Sequence, residues 1–249
     1  MVGTSSEGTS GETGMTIQEH LTSSSKTAES ETEDETKEEC LVATVAPMIE
    51  SKPLVLLQVN CRIIYNKTLD FWNLIDTYNP DVVIGLESWL NEEISNAEVF
   101  RAYYTTFRRD RFTRSDRVFI CIKNYITCTE LWVDKVYELM AVEVKGRDPK
   151  ITWEIVGICR APNENMWLLE KLADWTGYMG RTMKHSIIGG DLIFPYADWN
   201  GHADKSRGTQ VLLNRLVWGN ACTQLVNSPT QGYALLDIIT VIVTLSFIF

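Results

Sequence analysis

The sequence predicts an α/β fold in which two mixed β-sheets flanked by helices stack into a four-layered sandwich. Three observations carry that expectation. Residues 54–60 and 82–87 are apolar, β-branched runs separated by an amphipathic helical stretch, which gives a β-α-β opening. A series of short strand patterns without intervening helices follows, and consecutive strands of this kind pair antiparallel. Helical and strand patterns then alternate again towards the C-terminus.

Taken in order, the first strand runs from Leu54 to Asn60. Asn66 is a candidate N-cap for a helix whose Phe71, Leu74, Ile75 and Tyr78 recur at helical spacing, and Asn79-Pro80 stops it. Strand 82–87 follows at once. Further strands are expected at about 103–108, 117–123, 125–132, 136–145 and 152–159. A second helix around 165–176 shows Leu168, Leu172 and Trp175; strand 186–191 carries Gly189-Gly190-Asp191; a third helix near 208–218 shows Leu213, Leu216 and Val217. The run 238–249 is uncharged and rich in Ile, Val, Thr and Phe. It is short of the roughly 20 residues of a membrane span and suits a buried strand better than a tail anchor, the alternative reading, so a membrane partner is not the expectation.

Charge divides the chain in two. Residues 1–50 hold ten Glu and one Asp against two Lys, a net of −9, so of the chain's −10 only −1 belongs to the remaining 199 residues. Up to about Glu39 the composition is Ser, Thr, Glu and Gly, which buries too little apolar surface to offset the entropy of ordering. The expected organisation is a disordered acidic tail over 1–50 and one domain over 51–249. No basic segment followed by an apolar one opens the sequence, so a nuclear or cytoplasmic rather than secreted protein is expected. The six cysteines form no C-x-x-C pair and are expected to be reduced, mostly buried thiols.

Asn60, Glu87 and Asp191 each close an apolar run. Strand C-termini are where an α/β scaffold gathers polar groups into one mouth. Hard oxygen ligands gathered there suit Mg²⁺ and a phosphate ester.

Four segments, Leu57-Gln58-Val59-Asn60-Cys61-Arg62, Asp81 to Leu90 with its Gly85-Leu86-Glu87-Ser88-Trp89, Gly157-Ile158-Cys159-Arg160-Ala161-Pro162-Asn163, and Ile188-Gly189-Gly190-Asp191-Leu192, resemble in order and spacing the endonuclease/exonuclease/phosphatase family. The likeness is greatest to the apurinic-type endonuclease domain of non-LTR retrotransposons, and it covers about 54–237. It implies Glu87 as principal Mg²⁺ ligand, with Mn²⁺ as a substitute, and Asn60 beside it. It implies Asp191 as the group that orients or deprotonates the attacking water, Asn163 in the phosphate pocket and Asp237 as a further acidic position. DNA is the implied partner, with no obligate protein partner.

The chain also departs from the family. Cys159 stands where Tyr is usual, Ile193 where Asn is usual, and Ser115-Asp116-Arg117 where Gly-Gly precedes a strand. The family's closing Ser-Asp-His is not found between Asp237 and Phe249, and His20, His185 and His202 offer no evident replacement. A C-terminally truncated fold and a degenerate, impaired copy of the enzyme are expected. Arg101, Arg108, Arg109, Arg111, Arg114 and Arg117 lie among Tyr103, Tyr104, Phe107 and Phe112, a pattern suited to a nucleic-acid backbone; Arg108, Arg109, Arg111 and Arg114 are the expected DNA contacts. Two other functions fit the same residues. One is a non-catalytic DNA- or partner-binding module; the other is a phosphatase acting on a small phosphorylated substrate.

Overall fold

The computed structural model describes residues 16–18, 40–45, 54–110, 118–133, 138–146, 152–159, 167–182, 185–192, 222–226 and 237–242. Its strands are β1 (Thr16–Gln18), β2 (Cys40–Val45), β3 (Leu54–Asn60), β4 (Val82–Leu86), β5 (Tyr104–Arg108), β6 (Phe119–Lys123), β7 (Cys128–Val133), β8 (Glu138–Lys145), β9 (Thr152–Cys159), β10 (His185–Asp191), β11 (Cys222–Gln224) and β12 (Asp237–Ile242); its helices are α1 (Thr68–Tyr78), α2 (Asn96–Val99) and α3 (Trp167–Thr182). Two six-stranded sheets result, in the orders β1-β2-β3-β4-β6-β5 and β11-β12-β10-β9-β8-β7. Each is mixed: β3 and β4 are parallel, as are β9 and β10, and the other pairs are antiparallel.

Each sheet has an inner and an outer face, because side chains alternate along a strand. The inner faces meet in one core that includes Leu56, Ile84, Leu86 and Ile120 of the first sheet and Val142, Ile155, Ile187 and Ile239 of the second. On the outer face of the first sheet, Leu57, Val59, Val83 and Phe119 pack against Phe71 and Ile75 of α1 and Val99 of α2. Helix α3 lies against the second sheet, with Trp175 packed on Cys222. The four layers expected from the sequence are present.

The glycines of the strand motifs are explained by how closely these layers approach. A Cβ on Gly189 would lie 2.7 Å from Ile84 Cδ1 and 2.8 Å from Gln58 Oε1, so any other residue there would force the ends of those side chains to shift. A Cβ on Gly85 would enter the Phe119 ring on the outer face at 2.0 Å.

Several expectations shift on meeting the tertiary structure. Strand β2 falls inside the segment read as tail: Cys40, Leu41, Val42 and Ala43 are buried, and the strand pairs antiparallel with β3, so the sheet begins before residue 51. The apolar Leu41-Val42-Ala43 supplies burial that the preceding Ser/Thr/Glu composition does not. Asn66 is not the N-cap of α1. A 3₁₀ turn, Ile64–Lys67, comes first, Lys67 takes the cap position and Thr68 Oγ1 donates to Tyr65 O at 3.0 Å. The C-terminal stop is as expected, with Asn79 left-handed (φ 46°) and its N–H donating to Ile75 O at 2.9 Å.

The first part of the apolar C-terminal run forms a strand, Asp237–Ile242, and its remainder lies outside the described residues. Strand β12 sits between β10 and β11, with Ile238, Ile239, Thr240 and Val241 buried. Among the described residues no helix is long and apolar enough to cross a membrane. None of the six cysteines is in a disulfide, and five of them are buried. The helix expected near 208–218 lies outside the described residues.

Candidate active site

Beyond their last residues, β3 and β4 continue to pair through their loops. Cys61 N–H donates to Leu86 O at 2.9 Å, Ile63 N–H to Glu87 O at 3.2 Å and Ile64 N–H to Ser88 O at 3.2 Å. The seam is built from unusual backbone. Arg62, Ile63, Glu87 and Trp89 all have positive φ, 36°, 69°, 51° and 52°. Left-handed backbone costs a residue with a Cβ about 1–2 kcal/mol, and such outliers concentrate at functional sites.

The strained seam brings Asn60 and Glu87 together. Asn60 Nδ2 donates to Glu87 Oε1 at 2.9 Å, which turns the amide so that Oδ1 faces away from that hydrogen bond. Among the described residues that buried oxygen has no hydrogen-bond partner. An orphaned buried acceptor costs about 1–3 kcal/mol. A carbonyl oxygen and a carboxylate side by side form a hard-oxygen pair. They fit Mg²⁺, which takes one or two carboxylates and keeps several waters. Among the described residues no group of three or more His, Cys, Asp or Glu gathers.

Asp191 is the last residue of β10 and is buried. In the register it stands opposite Cys159 on one side and Asp237 on the other. Gln58, two residues before Asn60, links the sheets: its Nε2 donates to the carbonyl of Gly190 at 3.4 Å, one residue before Asp191. That amide is an inter-sheet link the motifs did not single out. Its signal was available, a lone polar side chain within the apolar run Leu54–Val59. No such signal exists for the positive φ angles, since Arg, Ile, Glu and Trp all favour negative φ.

Of the arginines expected on DNA, Arg108 is engaged inside the protein. It donates to the carbonyl of Ile94 and, at 3.3 Å, to that of Asn91, and it pairs with Asp110 at 3.0 Å. These bonds tie β5 to the loop after β4. Arg101 is used similarly, pairing with Asp76 and lying 4.3 Å over the Trp72 ring. Arg109 is half-buried. Arg111, Arg114, Asn163, Ile193 and His202 lie outside the described residues.

His185 begins β10, six residues from Asp191, and stacks on Trp153 with ring centroids 4.6 Å apart. Burial lowers its pKa. Its place at the start of the strand, away from Asp191, is the one the sequence suggests.

No protein-family model matches the chain, and no curated protein matches it in sequence. Solved structures do. The endonuclease domain of TRAS1, a telomere-specific non-LTR retrotransposon, matches with a TM-score of 0.53 at 15% identity over 74% of this chain and 82% of that one. An AP endonuclease from Archaeoglobus fulgidus matches at 0.52 and 11% identity over 76% of this chain and 86% of that one. AP endonuclease LMAP from Leishmania major matches at 0.55 and 14% identity over 73% and 76%. At these identities the likeness is one of fold, and the chain has the α/β sandwich fold of endonuclease/exonuclease/phosphatase structures.

Proposed function

We propose that this chain is a Mg²⁺-dependent, phosphodiester-cleaving endonuclease domain of the retrotransposon type, acting on DNA in the nucleus or cytoplasm with impaired turnover. The observation that carries the reading is the Asn60–Glu87 pair, held by strained backbone with a buried carbonyl oxygen that has no partner among the described residues. Glu87 and Asn60 would hold Mg²⁺ or Mn²⁺, which when bound neutralises charge on a phosphodiester. Asp191 would orient the attacking water and accept its proton. Asn163 and Asp237 are assigned by the family pattern alone, Asn163 to the phosphate and Asp237 to the acidic surroundings of Asp191. Impairment follows from Ile193 and Cys159, which replace side chains able to donate to a developing oxyanion. Losing one such donor costs on the order of 10²–10³ in rate.

One observation favours a second reading. Arg108 uses its guanidinium internally, which removes part of the track proposed for a DNA backbone, and a phosphatase acting on a small phosphorylated substrate needs no such track. Plasmid nicking in Mg²⁺ and in EDTA, beside release of phosphate from a small phosphate ester, separates the two. We expect slow, Mg²⁺-dependent nicking that is absent in Glu87→Gln, with no phosphate release. Nicking that persists in EDTA or in Glu87→Gln would defeat the proposal. Phosphate release without nicking would establish the second reading, and Mn²⁺ and DNA binding without either reaction would indicate a binding module.

A further inference from the structure

The seam that holds Asn60 and Glu87 carries three exposed side chains that the proposed reaction does not use: Arg62, Tyr65 and Trp89. Tyr65 is 50% exposed and Trp89 37%. Their chain neighbours Ile64 and Ser88 are joined by the 3.2 Å backbone hydrogen bond, so the two aromatic residues flank the same seam. Ser88 and Leu90, on either side of Trp89, are buried at 2% and 0%. The left-handed backbone at Trp89 thus leaves its side chain 37% exposed between two buried residues. Packing covers only part of it, and solubility alone would not favour a tryptophan.

The geometry points to Trp89 and Tyr65 as a stacking surface for the unstacked base of a single DNA strand, with Arg62 on the adjoining phosphate. The inference rests on the reading of the site as a nuclease and adds which form of DNA it takes. A duplex keeps its bases stacked on one another. An unpaired base offers a free π-face to an aromatic side chain, whatever its sequence. The exposed Glu92 and Glu93 follow Trp89 in the chain and repel phosphate, so the backbone of the strand runs on the Arg62 side.

The test is fluorescence anisotropy of the full chain in EDTA, with a dye-labelled oligothymidine of about a dozen nucleotides and a blunt duplex of the same length. The single strand should bind more tightly than the duplex. Trp89→Gly should lower single-strand affinity about tenfold, leave duplex affinity and Mn²⁺ binding unchanged, and not lower the melting temperature, because glycine suits the left-handed backbone. Trp89→Phe should restore most of the affinity. The inference is overturned if Trp89→Gly and Tyr65→Ala both bind the single strand like the wild type, or if both weaken duplex binding equally. Paramagnetic Mn²⁺ relaxation distinguishes this failure from failure of the underlying reading. If Mn²⁺ binds the wild type and not Glu87→Gln while Trp89→Gly binds the single strand normally, the stacking surface falls and the metal site stands. If Mn²⁺ does not bind but Trp89→Gly still loses affinity, the stacking surface stands and the metal site falls.

Discussion

Strands β3 and β4 begin and end in opposite chemistry. Where they begin, Asp81 accepts from the Val55 N–H at 2.9 Å and from the Tyr125 hydroxyl, while its own N–H donates to Val55 O at 2.8 Å. Lys123 Nζ donates to Asn79 O at 2.9 Å and Asn79 Oδ1 at 2.6 Å, and lies 3.9 Å from Asp81 Oδ1. Tyr104 donates its hydroxyl to Pro80 O, and burial raises its pKa. Where the same strands end, the backbone is left-handed at four positions and Asn60 Oδ1 has no partner among the described residues. One end of the sheet stabilises the fold with its polar groups. The other leaves one acceptor, Asn60 Oδ1, without a partner among the described residues, the condition for binding something else.

The largest expected effect breaks the first end. Asp81→Ala removes the acceptor of a partly buried backbone N–H and leaves Lys123, only 8% exposed, beside an apolar methyl. Removing one partner of a buried charged pair costs about 3–5 kcal/mol. Thermal unfolding should show a drop of roughly 10 °C for a domain of this size. A loss no greater than that of a surface substitution would remove the distinction between the two ends.

A smaller effect is expected at the other end. Glu87→Gln keeps an oxygen that can accept from Asn60 Nδ2, so urea unfolding should give a stability within about 0.5 kcal/mol of the wild type. Mn²⁺ binding should be lost in the same variant. A large loss of stability would make Glu87 part of the scaffold rather than of a site.

The smallest effect concerns the start of the second sheet. Burial lowers the pKa of His185, so the folded protein disfavours the proton that the unfolded chain accepts near 6.5. The contribution to stability is full above that value and declines as the pH falls through it. His185→Gln should flatten this part of the stability profile measured by urea unfolding between pH 7.5 and 5, a window chosen to span about one unit on either side of the histidine value. An unchanged slope would mean that His185 is as accessible to water as in the unfolded chain.

The sequence by itself determined most of the central elements, though not the start of α1 or the strand Cys40–Val45. Helical spacing of Phe71, Leu74, Ile75 and Tyr78 with Asn79-Pro80 defined α1, and apolar runs closing on Asn60 and Asp191 defined β3 and β10, because period and punctuation are local properties of a chain. The uncharged run from residue 238 likewise read as a strand, and its first part forms β12. Only the tertiary structure decided that Arg108 turns inward to the carbonyls of Asn91 and Ile94, and that Cys40–Val45 completes the first sheet. It also decided that Gln58 bridges the sheets and that the Asn60–Glu87 seam is left-handed. Each of these depends on a partner far along the chain. An arginine among aromatics has the same local pattern whether it meets a phosphate or a carbonyl, and a strained backbone persists only where contacts from elsewhere hold it.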